Sequence, residues 1–222
     1  MANQLDLEEQ EQLDQIKHFW KQYGNAITWG LIVVLSIFAS WNFYQYRQRS
    51  QAAQAATLFE EVERSVQSSD VEKMQRVFTE MKDRFPSTTY AQQTGLLIAK
   101  QLVQAGKLDP AKSALTWVSE KSADSGYQAL AKLRLASLLT DSKEYDKALT
   151  LLVTSFPAGF DALVADRKGD VYQLQGKSAE AIVEYQKAYG LFDERTDYRR
   201  LVEVKLNALS VEVQDTASVS GK

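Results

Sequence analysis

Apolar residues are distributed along this chain in two different patterns. From Gln22 to Tyr46 no side chain is charged. Within that stretch, Leu31–Leu35 with Ile37 and Phe38 put apolar groups on every side of a helix. From residue 52 onward the pattern changes: Ala52, Ala55, Ala56, Phe59, Val62 and Val66 recur at a period near 3.6, as on a one-sided helix. Further one-sided stretches cover roughly 70–85, 89–105, 109–121, 125–140, 144–156, 161–175, 178–190 and 195–213, separated by short polar turns. No alternating strand pattern of useful length is present. Residues 214–222 lack periodicity and are predicted to be disordered. The pattern predicts an all-α protein.

A helix of about 20 residues spans roughly 30 Å, the thickness of a bilayer core. Ala26–Tyr46 has that length and no polar stripe, unlike a soluble core helix. Its nine Leu, Ile, Val and Phe residues between 26 and 44 contribute on the order of −4 kcal/mol of insertion free energy. Trp20, Tyr23 and Trp29 at one end, and Trp41, Tyr44 and Tyr46 at the other, have the distribution of an interfacial aromatic belt. Arg47 and Arg49 close the segment within reach of lipid headgroups. A cleavable signal peptide fits less well. The preceding tail is long and acidic, the apolar run exceeds a signal's core, and the nearby Ala53–Ala55 site lies in a helical pattern. The segment reads as a permanent transmembrane helix at 22–46. Basic residues at its flanks leave the orientation open. Lys17 and Lys21 stand on one side and Arg47, Arg49 and Arg64 on the other, a margin of one that slightly favours a cytoplasmic C-terminal domain.

The amphipathic stretches pair into a repeat. In "ALVADRKGDVYQLQGKSAEAIVEYQKAYG", Gly169, Tyr172, Ala181, Tyr185 and Ala188 fall at the small and large positions of a tetratricopeptide unit. Small residues let two antiparallel helices approach, and the aromatics fill the gap to the next pair. Ala136, Leu139, Ala148 and Leu152 keep the same offsets, as do Ala99, Leu102, Ala111 and Leu115. Equivalent alanines lie 37 residues apart (111 to 148) and 33 apart (148 to 181). Gly106 and Gly176 mark helix ends, Asp109-Pro110 reads as an N-cap followed by proline at the first helical position, and Ser178 as another cap. The predicted architecture is a transmembrane helix followed by a tetratricopeptide-repeat-like solenoid over 47–213.

Composition narrows the function. Residues 1–21 carry five acids and two bases, so the overall net charge of −3 sits in that tail and the remainder is neutral. A neutral domain lacks the basic footprint of a nucleic-acid binder. The absence of cysteine excludes thiol catalysis, cysteine zinc sites and disulfides. His18 is the single histidine, so no histidine-based zinc site can form either. "GKS" at Gly176–Ser178 resembles the end of a phosphate loop, but position 171 is Val where that loop requires Gly. No catalytic constellation or cofactor motif is present, and the reading is a non-enzymatic interaction protein.

Tetratricopeptide geometry would line a groove with Gln93, Leu96, Lys100, Val103 and Gln104 from the first unit. The second would supply Leu130, Leu133, Ser137, Thr140 and Asp141, and the third Leu163, Asp166, Asp170, Gln173 and Leu174. Asp166 and Asp170 form a like-charge i,i+4 pair, unfavourable unless something basic approaches. The mixture suits a protein partner or an extended peptide.

The whole layout resembles the YfgM-type ancillary subunits of the SecYEG translocon. The likeness rests on the acidic tail, "IKHFWKQYGNAI" before the span, "WNFYQYRQRSQAAQAATLFEEV" after it, and "VADRKGDVYQLQGKSAEAIVEYQKAY" in the repeats. The resemblance implies a single-pass protein of the bacterial inner membrane, with residues 1–21 in the cytoplasm and the repeats in the periplasm. It implies association with SecYEG and with a membrane-anchored periplasmic chaperone of the PpiD type, and assistance to client proteins emerging from the channel. That orientation runs against the flanking-base count. A short tail is easily retained and large domains translocate largely regardless of charge. A membrane-tethered scaffold in another envelope assembly process would share the same architecture.

Overall fold

The computed structural model describes residues 7–211. All regular structure among them is helical: α1 (Leu7–Gln67), α2 (Val71–Arg84), α3 (Thr89–Gln104), α4 (Leu108–Lys121), α5 (Ser125–Asp141), α6 (Tyr145–Leu152), a 3-10 turn (Ala158–Phe160), α7 (Asp161–Leu174), α8 (Ser178–Leu191) and α9 (Asp197–Ala208). The expected disordered tail at 214–222 lies outside the described residues. The chain divides into two compact units, Met1–Ala53 and Gln54–Lys222.

In the first unit the helix runs through the apolar segment without interruption. Its large apolar side chains from Ile27 to Phe43 are exposed on every side. This is a helix long and apolar enough to cross a membrane, with a mean hydropathy of 1.7 in its most apolar window.

The second unit is built from helix pairs. Short connections force α3 against α4, α5 against α6 and α7 against α8, and successive pairs stack through α4 with α5 and through α5 and α6 with α7. The 3.6 periodicity sets the buried faces. On α2 these are Met74, Val77, Phe78 and Met81, the i, i+3, i+4, i+7 stripe of a half-buried helix. Helix α7 buries two faces: Val171 joins a core running from Ala55 to Leu152, while Ala165 joins a second core of Ala181, Tyr185, Ala188, Val202 and Leu206. Close approach needs glycine at two points. A Cβ at Gly169 would sit 2.5 Å from the Tyr185 ring, and one at Gly95 would overlap the Val118 side chain.

Each first helix of a pair ends in the same turn. Ser69, Gly106, Lys143, Gly176 and Ser210 all have left-handed φ, between 55° and 75°, at intervals of 37, 37, 33 and 34 residues. The following amide reaches back five residues to a carbonyl: Asp70 to Ser65, Lys107 to Leu102, Glu144 to Leu139, Lys177 to Tyr172 and Val211 to Leu206, at 2.8–3.1 Å. These are Schellman caps. They extend the repeat one turn before and one after the three units read in the sequence.

The same turns correct two expected caps. Helix α4 begins at Leu108 with Lys107 as N-cap, so Asp109 and Pro110 lie inside the first turn. Helix α8 begins at Ser178 with Lys177 as N-cap and no side-chain cap bond. Once the Schellman turn has set Lys107 and Lys177, the helix follows at once. Pro110 is tolerated because first-turn amides have no intrahelical acceptor. Helix α6 also stops earlier than expected, at Leu152 rather than 156. Pro157 disfavours helical backbone at Phe156, and the Thr154 hydroxyl donates to the Leu151 carbonyl at 2.8 Å.

Candidate membrane segment and partner groove

The membrane-interface residues predicted from sequence are all exposed. Trp20, Tyr23, Trp41, Tyr44 and Tyr46 are exposed aromatics flanking the apolar run, and Arg47 and Arg49 follow on exposed positions. Trp20 folds its indole over Gly24, whose missing side chain leaves room for the ring.

The groove residues separate into three groups. Ser137 and Asp141 of α5, with Asp170 and Gln173 of α7, come together. With Thr140, Arg167 and Leu174 they line a cavity of about 460 Å³. Lys100 and Gln104 are exposed on α3, whereas Gln93 donates through Nε2 to the Tyr127 hydroxyl at 2.9 Å. Leu96 and Leu133 are buried in the core, and Leu130 and Leu163 are half-buried against it. These four leucines hold the helices together.

Asp166 has no exposed surface. Its Oδ1 accepts from Lys205 Nζ at 2.6 Å and its Oδ2 from the Tyr198 hydroxyl at 3.0 Å, both from α9. Asp170 accepts from the same Lys205 at 2.7 Å, from Arg167 at 3.0 Å and from the Tyr185 hydroxyl at 2.8 Å. Lys205 is thus the basic group that the Asp166–Asp170 pair required. The Tyr185 oxygen also lies 2.7 Å from Gln173 Oε1. One phenol proton cannot serve both acceptors. With the amide turned over, Gln173 Nε2 donates to the phenol while Tyr185 donates to Asp170. Burial, then the charge of Asp170, pushes the Tyr185 phenol up. Burial and Asp166 push Tyr198 up to about 12. The carboxylates therefore keep two neutral phenols as hydrogen-bond donors beside a cation.

Sequence reasoning missed Arg167, Tyr198 and Lys205. The unfavourable spacing of Asp166 and Asp170 was the available signal, but it named neither the base nor its position 35 residues beyond Asp170. A second polar joint was also missed. Glu144, before α6, is bonded by Lys112 of α4 and by Lys147 at 2.6 Å, and these two lysines hold its carboxyl down to about 2.

The arrangement offers a polar, mixed-charge recess and exposed helix faces, which can bind a polypeptide. The profile of the tetratricopeptide repeat-like domain family covers residues 17–211. A protein of Neisseria gonorrhoeae (strain ATCC 700825 / FA 1090), named ancillary SecYEG translocon subunit, is 34% identical over 91% of this chain and 98% of its own length. Proteins of the same name from Escherichia coli (strain K12) and Haemophilus influenzae (strain ATCC 51907 / DSM 11121 / KW20 / Rd) are 24% and 25% identical. They cover 91% and 82% of this chain, and 97% and 89% of their own.

Proposed function

This chain belongs to the tetratricopeptide repeat-like family of ancillary SecYEG translocon subunits, and on that premise we propose how it serves the channel. The one helix among the described residues that is long and apolar enough to cross a membrane, together with the translocon-subunit relatives, supports a single-pass inner-membrane protein. The N-terminal residues face the cytoplasm and the repeats face the periplasm, where they bind a membrane-anchored chaperone of the PpiD type and assist proteins leaving the channel. Tethering raises the local concentration of the repeats at the channel exit without any new contact. The observation that carries this reading is the presence, on one chain, of an all-round apolar helix and a stack of helix pairs with an open polar recess.

Two experiments test it. The chain has no cysteine, so Ala179→Cys on the exposed face of α8 gives a single label site. A maleimide that crosses only the outer membrane is expected to label it in intact cells. Labelling only after the inner membrane is opened would reverse the orientation. The full chain, purified in mild detergent, is expected to bring down the channel and a PpiD-type chaperone. Recovery of the channel alone would remove the chaperone from the proposal, and recovery of neither would remove the function.

A further inference from the structure

Helix α6 is the short member of an otherwise regular set. Helices α4, α6 and α8 each begin two residues after a left-handed turn, at Gly106, Lys143 and Gly176. Helices α4 and α8 then run for 14 residues, and α6 for 8. Nine and twelve residues after the turn, α4 buries Leu115 and Val118, and α8 buries Tyr185 and Ala188. Helix α6 buries Leu152 at the first of these positions. At the second stands Ser155, exposed and outside the helix. At 1.5 Å per residue, about 9 Å of helix is missing.

Two cavities open where those turns would lie. One of about 420 Å³ is lined by Leu152, Val164 and Leu191, with Lys168 and Lys187. The other, of about 370 Å³, lies against the first turns of α5 and is lined by Gln128 and Lys132. Phe156 borders both. The rim is apolar: Val153 is 69% and Leu191 50% exposed. The charge is one-sided. Among the described residues, Lys168 and Lys187 enter no ion pair, and Asp161 is the one acid that borders either cavity. Lys132 donates to the Ser155 carbonyl at 3.1 Å and lies over the Phe156 ring, with no acid beside it. Three cations against one acid, in a chain that is neutral beyond residue 21, are complementary to an anionic occupant. Leu152, Val164 and Leu191 are complementary to an apolar one. Packed helices stand about 8–10 Å apart, so the place of the missing turns is one helix wide.

We propose that the open end of α6 is a docking notch for a helical segment of a polypeptide partner. That segment sets a large apolar side chain against Leu152 and Leu191, and acidic residues against Lys132, Lys168 and Lys187. The inference rests on the reading of the repeats as a partner-binding domain. It assigns that role to a surface that shares no residue with the recess beside α5 and α7.

The test uses the full-length chain in its native membranes, with a photocrosslinking phenylalanine analogue at Val153, at Leu191 or, in the recess, at Leu174. Val153 and Leu191 are expected to give the same product, mapped by mass spectrometry to an apolar segment with acidic neighbours. Leu174 is expected not to reach that segment. Lys168→Glu with Lys187→Glu is expected to lower the yield by about tenfold and to leave the thermal melt unchanged, since neither lysine holds an ion pair. Should the melt fall, Lys168→Gln with Lys187→Gln carries the test, with a loss of several-fold expected. An unchanged yield, a mapped segment without acids, lipid adducts, a product of twice the chain's mass, or no product would each overturn the inference. Recovery of the channel or the chaperone by the purified chain separates the outcomes. If either is recovered while Val153 and Leu191 give no such product, the notch fails and the proposed function stands. If neither is recovered, both fail.

Discussion

Lys205 carries more of the fold than a surface lysine would. Its ammonium group is shared by two carboxylates, of which Asp166 is wholly enclosed. Removing one partner of a buried ion pair leaves charge without solvent or counterion and costs about 3–5 kcal/mol. Lys205→Met is therefore expected to move the urea midpoint down sharply, and adding Asp166→Asn is expected to recover part of the loss; circular dichroism at a series of urea concentrations reads both. The adjacent phenols give a pH signature. Tyr198 ionises near about 10 when unfolded and is pushed up to about 12 when folded. Its contribution is complete below pH of about 10 and is lost as pH rises through about 12, because only the unfolded chain gains the tyrosinate charge over that interval. Alkaline melting curves of the protein and of Tyr198→Phe should converge across this window. At this scale the sequence was half legible. The like charges of Asp166 and Asp170 declared that a base was needed. Its source was hidden because helix pairs bring residues 39 positions apart into contact, and no local pattern records that distance.

Among the elements, the helix cores followed from the 3.6 period and the pairing followed from small residues at matching offsets. Gly169 shows why the second inference works, since only a residue without Cβ admits the Tyr185 ring. The ends were harder to read. Glycine announced the turns at 106 and 176, but Lys143, Ser69 and Ser210 make the same turn with side chains that resist it. Left-handed backbone costs roughly 1 kcal/mol or more for residues other than glycine. Lys143→Gly is accordingly expected to raise stability by about 0.5–1 kcal/mol, set against the greater freedom glycine gives the unfolded chain. A thermal melt that rises by a few degrees would agree, and a fall would show that the Lys143 side chain contributes more than its backbone costs. The early stop of α6 had a visible cause in Pro157, but proline fixes only its own neighbourhood. The last turn closes on backbone amides, Val153 donating to the Leu149 carbonyl and Thr154 to the Leu151 carbonyl, which no local sequence pattern marks.

At the scale of the whole molecule, the all-α class, the single apolar helix and the repeat-like second unit were legible, because each rests on composition or on a period sustained over many residues. The recess beside α5 and α7 was legible in part: Ser137, Asp141, Asp170, Gln173 and Leu174 meet there, while Leu96 and Leu133 are packed inside. Helix α9 completes the second core with Val202 and Leu206, both without exposed surface. A chain ended before Asp197 is expected to lose the α7–α8 pair as well as α9. Limited proteolysis should then cut within Asp161–Leu191, and protection there would show that the pair stands alone.

The dependence of Asp166 on Lys205 also sets a clock. Synthesis proceeds from the N-terminus, and 39 residues separate the acid from its base. At about 5–20 residues per second, roughly 2–8 seconds pass between the two. Throughout that interval Asp166 has not met Lys205 or Tyr198, and the last helix pair lacks the contacts that α9 supplies. A protein whose proposed work is to attend unfinished chains is, for those seconds, an unfinished chain itself.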